Sequence, residues 1–172
     1  MDKSKYVRRF GMKTIGIDIG TTSICLALYD TERKEITESL SEANEFLPES
    51  FRQDPERIVG VIQKMLDELL DVHGDVAGIG ISTQMHGILY VDEGGRAVSD
   101  LYTWKDTGGN EGFGRETYAS YLAKSTGYPM YTGYGTVTHF VLQKKGQIAP
   151  SAKAFVNIGD YLAMRLCRVA KG

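Results

Sequence analysis

Thr14-Ile15-Gly16-Ile17-Asp18-Ile19-Gly20-Thr21-Thr22-Ser23-Ile24-Cys25-Leu26-Ala27-Leu28-Tyr29-Asp30 is the stretch that decides the fold. Ile15, Ile17 and Ile19 alternate with Gly16 and Asp18, the period of a strand with one apolar face. Gly20-Thr21-Thr22 interrupts the pattern. From Ser23 it resumes, with Ile24, Leu26 and Leu28 facing one way and Cys25, Ala27 and Tyr29 the other. The two runs predict a hairpin with a small, backbone-rich tip.

Working outward, the turn Thr31-Glu32-Arg33-Lys34 leads to a weaker third strand around Glu35 to Leu40. Asp54-Pro55 starts a helix, the aspartate as N-cap and the proline where its missing N–H costs nothing. Ile58, Ile62, Met65, Leu66 and Leu69 keep helical spacing until Gly74 stops the segment. Val76 to Ser82 returns to strand-like alternation. A meander, a helix and another strand predict an α/β fold, a mixed sheet with helices on its faces. Further on, Gly87 to Val91 and Ala97 to Thr103 flank Asp92-Glu93-Gly94-Gly95 as a second hairpin. A glycine-rich break from Thr107 to Gly114 precedes helices near Glu116 to Ser125, Thr136 to Lys145 and Ile158 to Leu166. There is no internal repeat and no low-complexity tract.

The chain has 172 residues, 42% hydrophobic and 24% charged, with 20 Lys+Arg against 22 Asp+Glu and a net charge of −2. That describes a globular domain, which at this length buries roughly 70% of its unfolded surface. The balance provides no field for nucleic acid or an anionic bilayer. Lys3, Lys5, Arg8, Arg9 and Lys13 read as a solvated basic arm. Cys25 and Cys167 lie far apart without a ligand pattern, so neither a disulfide framework nor a zinc site is expected. No run has the length and apolarity of a membrane span or the layout of a signal peptide, and the expected compartment is the cytoplasm.

Three segments could carry chemistry. Asp18 with Gly20-Thr21-Thr22 puts a carboxylate at a strand end beside a tight turn, an arrangement that can hold a hydrated divalent cation and cradle phosphates. The alternative is an Asx-type strand end with a threonine-rich turn. No GxxxxGK[ST] and no well-placed GxGxxG occurs. Ser82-Thr83-Gln84-Met85-His86-Gly87 follows a sheet strand, where open α/β sheets place ligands. Gln84 and His86 offer directional hydrogen bonds and Met85 an apolar wall, a mix suited to a polyol; the alternative is a structural histidine. Trp104-Lys105-Asp106 offers a flat indole face for a sugar skeleton and a carboxylate for hydroxyls, against a tryptophan packed under a loop. His73, His139 and the tyrosines at 118, 121, 128, 131 and 134 receive no chemical role.

Together these segments resemble the N-terminal part of the FGGY family of carbohydrate kinases, from about Lys13 to Leu166. Gly16-Ile17-Asp18-Ile19-Gly20-Thr21-Thr22-Ser23 is similar to the family's first phosphate motif, Gln84-Met85-His86-Gly87 to its sugar-site loop, and Trp104-Lys105-Asp106 to its Trp-x-Asp segment. Three matches in order are far more specific than one. Asp160-Tyr161-Leu162 through Arg165-Leu166 resembles the family's Asp-Tyr-Leu helix, read as structural. Met85-His86-Gly87, Trp104-Lys105-Asp106 and Gly133-Tyr134-Gly135 point to the ketose kinases, of xylulokinase or sedoheptulokinase type.

The resemblance implies an actin-like, ribonuclease-H-like domain, two of which close over ATP and a sugar. It places Mg²⁺ at Asp18 through water, the ATP phosphates at Gly20, Thr21 and Thr22, and the ketose at Gln84, Met85, His86, Trp104 and Asp106. Phosphoryl transfer would rest on alignment and charge neutralisation. The partners implied are ATP and a small sugar, with no nucleic acid and no membrane, and a homodimer stays open. Thr83 and Gly108 depart from the family, which often has Gly and Arg there; lost guanidinium contacts would alter sugar preference. The family's general-base Asp and adenosine-binding domain have no counterpart between Met1 and Gly172. The expectation is therefore an inactive kinase portion, residues 1–12 forming an extension and 13–172 an incomplete N-terminal domain. A nucleotide-dependent actin-like scaffold or chaperone module is the alternative; it would share the Asp18 to Thr22 turn but need no polyol pocket.

Overall fold

β1 (Lys13–Ile19) and β2 (Ser23–Asp30) form the hairpin their alternation predicts, paired antiparallel from Lys13↔Asp30 to Ile19↔Ile24. The computed structural model describes residues 12–74 and 76–167; the basic arm at Lys3, Lys5, Arg8 and Arg9 and the last residues, 168–172, lie outside them. β3 (Glu35–Ala43) adds antiparallel to β2 and runs on past Leu40. After a two-residue β4 (Arg52–Gln53) comes α1 (Pro55–His73), then β5 (Gly78–Thr83), which lies parallel to β1. The sheet order is β3-β2-β1-β5.

Helix α1 begins and ends as its caps dictate. The Asp54 carboxylate accepts from the Glu56 and Arg57 amides at 2.8 and 3.1 Å, and Gly74, at φ 71°, closes the last turn onto the Leu70 carbonyl. The apolar stripe from Ile58 to Leu69 packs on Ile15, Ile17, Ile24, Leu26 and Leu28. On this face the β1 and β5 isoleucines are paired, Ile15↔Ile79 and Ile17↔Ile81. The other face carries Gly16↔Gly80 and Asp18↔Ser82, all exposed. A period of two therefore sends the β1 isoleucines under α1, with Ile79 and Ile81 of β5 still exposed, and leaves Asp18 on the open side.

The rest of the chain is built from short pieces. The sequence predicts a hairpin of Gly87 to Val91 with Ala97 to Thr103; the structure forms the short β6 (Leu89–Val91) and β7 (Leu101–Tyr102) there. The turn at Asp92 is present, with the Asp92 amide donating to the Arg96 carbonyl at 2.9 Å, but only the bridges Val91↔Ala97 and Ile88↔Tyr102 join the arms. The Ser99 hydroxyl takes the Tyr90 amide at 2.9 Å and interrupts the ladder. β7 pairs instead with β4. A small hairpin of β8 (Gly112–Phe113) and β9 (Glu116–Thr117) leads into α2 (Tyr118–Thr126), which starts two residues later than anticipated because Thr117 caps it. α3 (Gly135–Lys144) follows, and β10 (Ala154–Val156) pairs with β6.

α4 (Ile158–Leu166) keeps its predicted bounds and packs Ile158, Tyr161 and Leu162 into the core beside α1. Arg165 Nη1 reaches Glu56 of α1 at 2.6 Å, and the Tyr161 hydroxyl donates to the same carboxylate. No helix among the described residues is long and apolar enough to cross a membrane.

Thr83, at the end of β5, meets α4 at Gly159: a Cβ there would stand 2.8 Å from Thr83 Cγ2. In an open helix Gly→Ala gains roughly 1 kcal/mol, whereas overpacking costs about 1–3 kcal/mol. Gly159→Ala is therefore expected to destabilise the chain, and to do so much less in a Thr83→Ser background, which deletes Cγ2 and keeps the hydroxyl. Urea unfolding of the four proteins checks this; additive effects would rule the contact out.

Candidate functional site

Four segments converge where β1 and β5 end. Gln53 is wholly buried on β4, so each of its polar atoms needs a partner. Its amide donates to the Thr21 carbonyl at 2.8 Å and to the Asn44 carbonyl at 3.3 Å, while its own carbonyl accepts from Gln84 Nε2 at 2.7 Å. The Thr21 hydroxyl donates to Gln84 Oε1 at 3.3 Å and accepts from Trp104 Nε1 at 2.9 Å. A closed ring of bonds thus joins the β1–β2 turn, the residue after β5 and buried Gln53, with the indole attached to it.

Asp18 and the turn form the first part of the site. The Gly20 amide is used inside the turn, donating to the Ser23 carbonyl at 2.9 Å, so it is not offered to a phosphate. What Gly20 contributes is space: a Cβ there would lie 3.1 Å from that carbonyl and 3.8 Å from Asp18 Oδ2. Among the described residues the Thr21 and Thr22 amides have no backbone acceptor. No group of three metal-ligating side chains occurs among them either. The donor set of one exposed carboxylate beside two free amides fits a cation whose remaining ligands are water and phosphate oxygens, the usual habit of Mg²⁺. Asp18 would hold it, and Thr21 and Thr22 would meet the phosphates.

The second part is the loop Gln84 to Gly87. Met85 and His86 are exposed, and His86 sits at φ +64°, a left-handed backbone that ordinary side chains rarely adopt. Its imidazole stacks on Tyr134, centroids 4.1 Å apart and planes within 15°. The pair lines a cavity of about 540 Å³ together with Met130, Thr136, Asn157 and Asp160. Asp160 also serves α4, its Oδ2 accepting from Asn157 Nδ2 at 2.6 Å.

Trp104, 45% exposed, is not packed under a loop; its N–H is tied to Thr21, and the Lys105 ammonium lies 5.7 Å over its ring. Asp106 lies two residues on, but its Oδ1 accepts from the Gly108 amide at 3.1 Å and the Thr138 hydroxyl at 3.4 Å. Thr21, Gln84 and Trp104 are thus in direct contact, His86 is joined to them through the main chain, and Asp106 is turned toward α3.

Sequence reasoning missed Gln53, Asn44 and Tyr134. Asn44, buried below the turn, donates to the Gly20 carbonyl at 2.7 Å. Nothing in the spacing of either amide residue signals these bonds. Gly133-Tyr134-Gly135 was noted for its likeness but given no contact with His86. The other histidines have protein partners: His73 pairs with Glu38, and His139 Nδ1 lies 2.9 Å from the Tyr90 hydroxyl. Burial pushes Tyr90 up to about 12, with Tyr102 adding to it, and lowers His139. The phenol therefore keeps its proton at neutral pH, hydrogen-bonded to the imidazole.

The model of the FGGY family of carbohydrate kinases, N-terminal domain, matches residues 13–170. Sedoheptulokinase of Mus musculus is 32% identical over 183 residues, covering 90% of this chain and 38% of that protein. The chain therefore spans well under half of that relative's length. Among solved structures, ligand-bound xylulose kinase from Lactobacillus acidophilus superposes with a TM-score of 0.72 at 23% identity, covering 90% of this chain and 33% of that one. Plasmodium falciparum glycerol kinase with ADP gives 0.71 at 22%, covering 92% and 35%. The fold is that of FGGY kinase N-terminal domains, the actin-like ATPase fold.

His139 predicts a pH dependence. Its folded value lies below the ordinary 6.5, so the unfolded chain binds more protons and stability falls as pH drops below 6.5. His139→Asn, which can still accept from Tyr90, is expected to flatten the melting temperature between pH 6.5 and about 5. Equal slopes for both proteins would contradict this.

Proposed function

The chain belongs to the FGGY family of carbohydrate kinases, and from that premise we propose that it forms the sugar-facing and phosphate-facing half of a kinase that phosphorylates a ketose of xylulose or sedoheptulose type. The observation that carries the reading is the Trp104–Thr21 hydrogen bond at 2.9 Å, which ties the sugar segment to the phosphate turn. A hydroxyl that rests on the indole is thereby close to where Thr21 and Thr22 offer their amides. Alignment of this kind supplies much of the acceleration in phosphoryl transfer.

In that reaction the sugar hydroxyl oxygen bonds to the γ-phosphorus, the bond to the bridging oxygen breaks, and ADP departs. Magnesium bound with ATP supplies charge neutralisation at the phosphates. Asp18 would hold the hydrated cation, and Gly20 keeps the space beside that carboxylate open. Gln84 is held by Gln53 and Thr21, so its role is to fix the loop as much as to meet sugar. His86 and Asp106 supply hydroxyl partners, Met85 and Trp104 the apolar walls. The hydroxyl proton passes to a carboxylate that the resemblance assigns to a part of the family's chains unmatched here.

Trp104 is the chain's single tryptophan, so its emission reads the site directly. D-xylulose or sedoheptulose is expected to change that emission without nucleotide. His86→Ala should weaken the ketose about tenfold, the value of one or two hydrogen bonds, and leave ATP binding unchanged. The chain by itself should show no ATP-dependent phosphorylation of either sugar. A response to ATP alone would favour an actin-like scaffold and sink the ketose reading.

A further inference from the structure

The three histidines are held in two different ways. His73 and His139 are each tied through a ring nitrogen, to Glu38 and to Tyr90. His86 is held by ring stacking on Tyr134. Stacking fixes the plane of an imidazole and leaves its nitrogens, which lie at the ring edge, for a ligand. A hydrogen bond would fix the ring by consuming one of them.

The tripeptide Gly133-Tyr134-Gly135 is itself clamped. Gly133, at φ +81°, presses so closely on the Trp104 carbonyl that a Cβ would stand 1.9 Å from its oxygen. At Gly135 a Cβ would stand 2.5 Å from Ile88 Cγ2 and 2.7 Å from the His86 carbonyl. Only glycine fits at either place. Tyr134 is therefore set between the Trp104 and His86 main chains, at the N-cap of α3, with its amide donating to the Tyr131 carbonyl at 3.1 Å.

We propose that Tyr134 is a positioning residue for the sugar: it sets the plane of the His86 imidazole, and the flanking glycines key that plane to the position of Trp104. This rests on the ketose reading of the site. It deepens that reading by giving the geometry of recognition. Hydroxyls that lie in the plane of the imidazole find its nitrogens free, and bulk is refused on the ring face that Tyr134 already covers. The stacked rings themselves make no hydrogen bond to Asp18, Thr21 or Thr22, and of this arrangement only Trp104 bonds Thr21, so loss of the stack is expected to leave nucleotide binding unchanged.

The test uses the 172-residue chain with Tyr134→Phe and Tyr134→Leu. Proton NMR of the His86 ring reports the stack through its ring-current shift, and Trp104 emission reports ketose and ATP binding. The shift is expected in the wild type and in Y134F and absent in Y134L. Y134L should bind D-xylulose and sedoheptulose about five- to tenfold more weakly, the size of one aromatic contact, with ATP unaffected and Y134F like the wild type. In a His86→Ala background Y134L should have no further effect on ketose. Should Y134L fail to fold, Tyr134→Met takes its place in the same measurements. Ketose affinity that survives loss of the ring-current shift overturns the role of Tyr134 alone. A wild-type chain that shows the shift and binds no ketose overturns the sugar reading on which it rests.

Discussion

The site depends on the hydrogen bonding of one buried side chain, Gln53. Its amide group is out of water, and a buried donor or acceptor left without a partner costs about 1–3 kcal/mol. Its ends are satisfied by the Thr21 and Asn44 carbonyls on one side and Gln84 on the other. The Thr21 hydroxyl then closes the ring onto Gln84 and has one lone pair left for the Trp104 indole. The tip of the first hairpin, the loop after the parallel strand and the tryptophan segment, far apart along the chain, are thereby fixed to one another. Every other element serves mainly to deliver these residues to that point.

The sheet explains why the acidic group stands apart from this ring. In β1 a period of two cannot place Asp18 on the same face as Ile17 and Ile19. The isoleucines are claimed by α1 and α4, so the carboxylate projects from the face where Gly16 and Gly80 leave the sheet bare. Charge is kept out of the core at no cost in packing. The turn that follows leaves the Thr21 and Thr22 amides without an acceptor among the described residues, while its carbonyls point back to Asn44 and Gln53. The turn's Gly20, Thr21 and Thr22 carbonyls are thus all bonded to protein donors.

Much of this was legible in the residues themselves, because local rules wrote it. The hairpin of β1 and β2 follows from strict alternation, α1 from Asp54-Pro55 and Gly74, and α4 from its apolar spacing. The candidate segments could be picked out as well, since Asp18 to Thr22, Gln84 to Gly87 and Trp104 to Asp106 each offer polar side chains, and the structure brings Thr21, Gln84 and Trp104 into one network. What could not be read was who satisfies whom. Gln53 lies on a two-residue strand with no period, and its partners are 32 and 31 residues away in opposite directions. The arms of the second hairpin likewise take partners, β4 and β10, that lie outside the hairpin. Non-local pairing of short strands leaves no local pattern, and an aromatic stack such as His86 on Tyr134 leaves none at all.

The departure at Gly108 has a physical counterpart in the position of Asp106. A Cβ on residue 108 would stand 3.2 Å from Asp106 Oδ1 and 3.3 Å from Val141 Cγ1. A long basic side chain there would have to displace either the carboxylate or the α3 side chain. Without it, the carboxylate folds back to accept the Gly108 amide and the Thr138 hydroxyl. One oxygen is thereby spent on holding the loop against α3, and the other remains for a hydroxyl. A guanidinium at this point would bring a rigid fork of donors; under the proposed ketose reading, its absence would leave more of the sugar contact to the imidazole and the indole. The orientation of His86 then matters more in this chain than in one that carries the arginine, and a ring stacked on a clamped tyrosine is a way to fix that orientation without using either nitrogen.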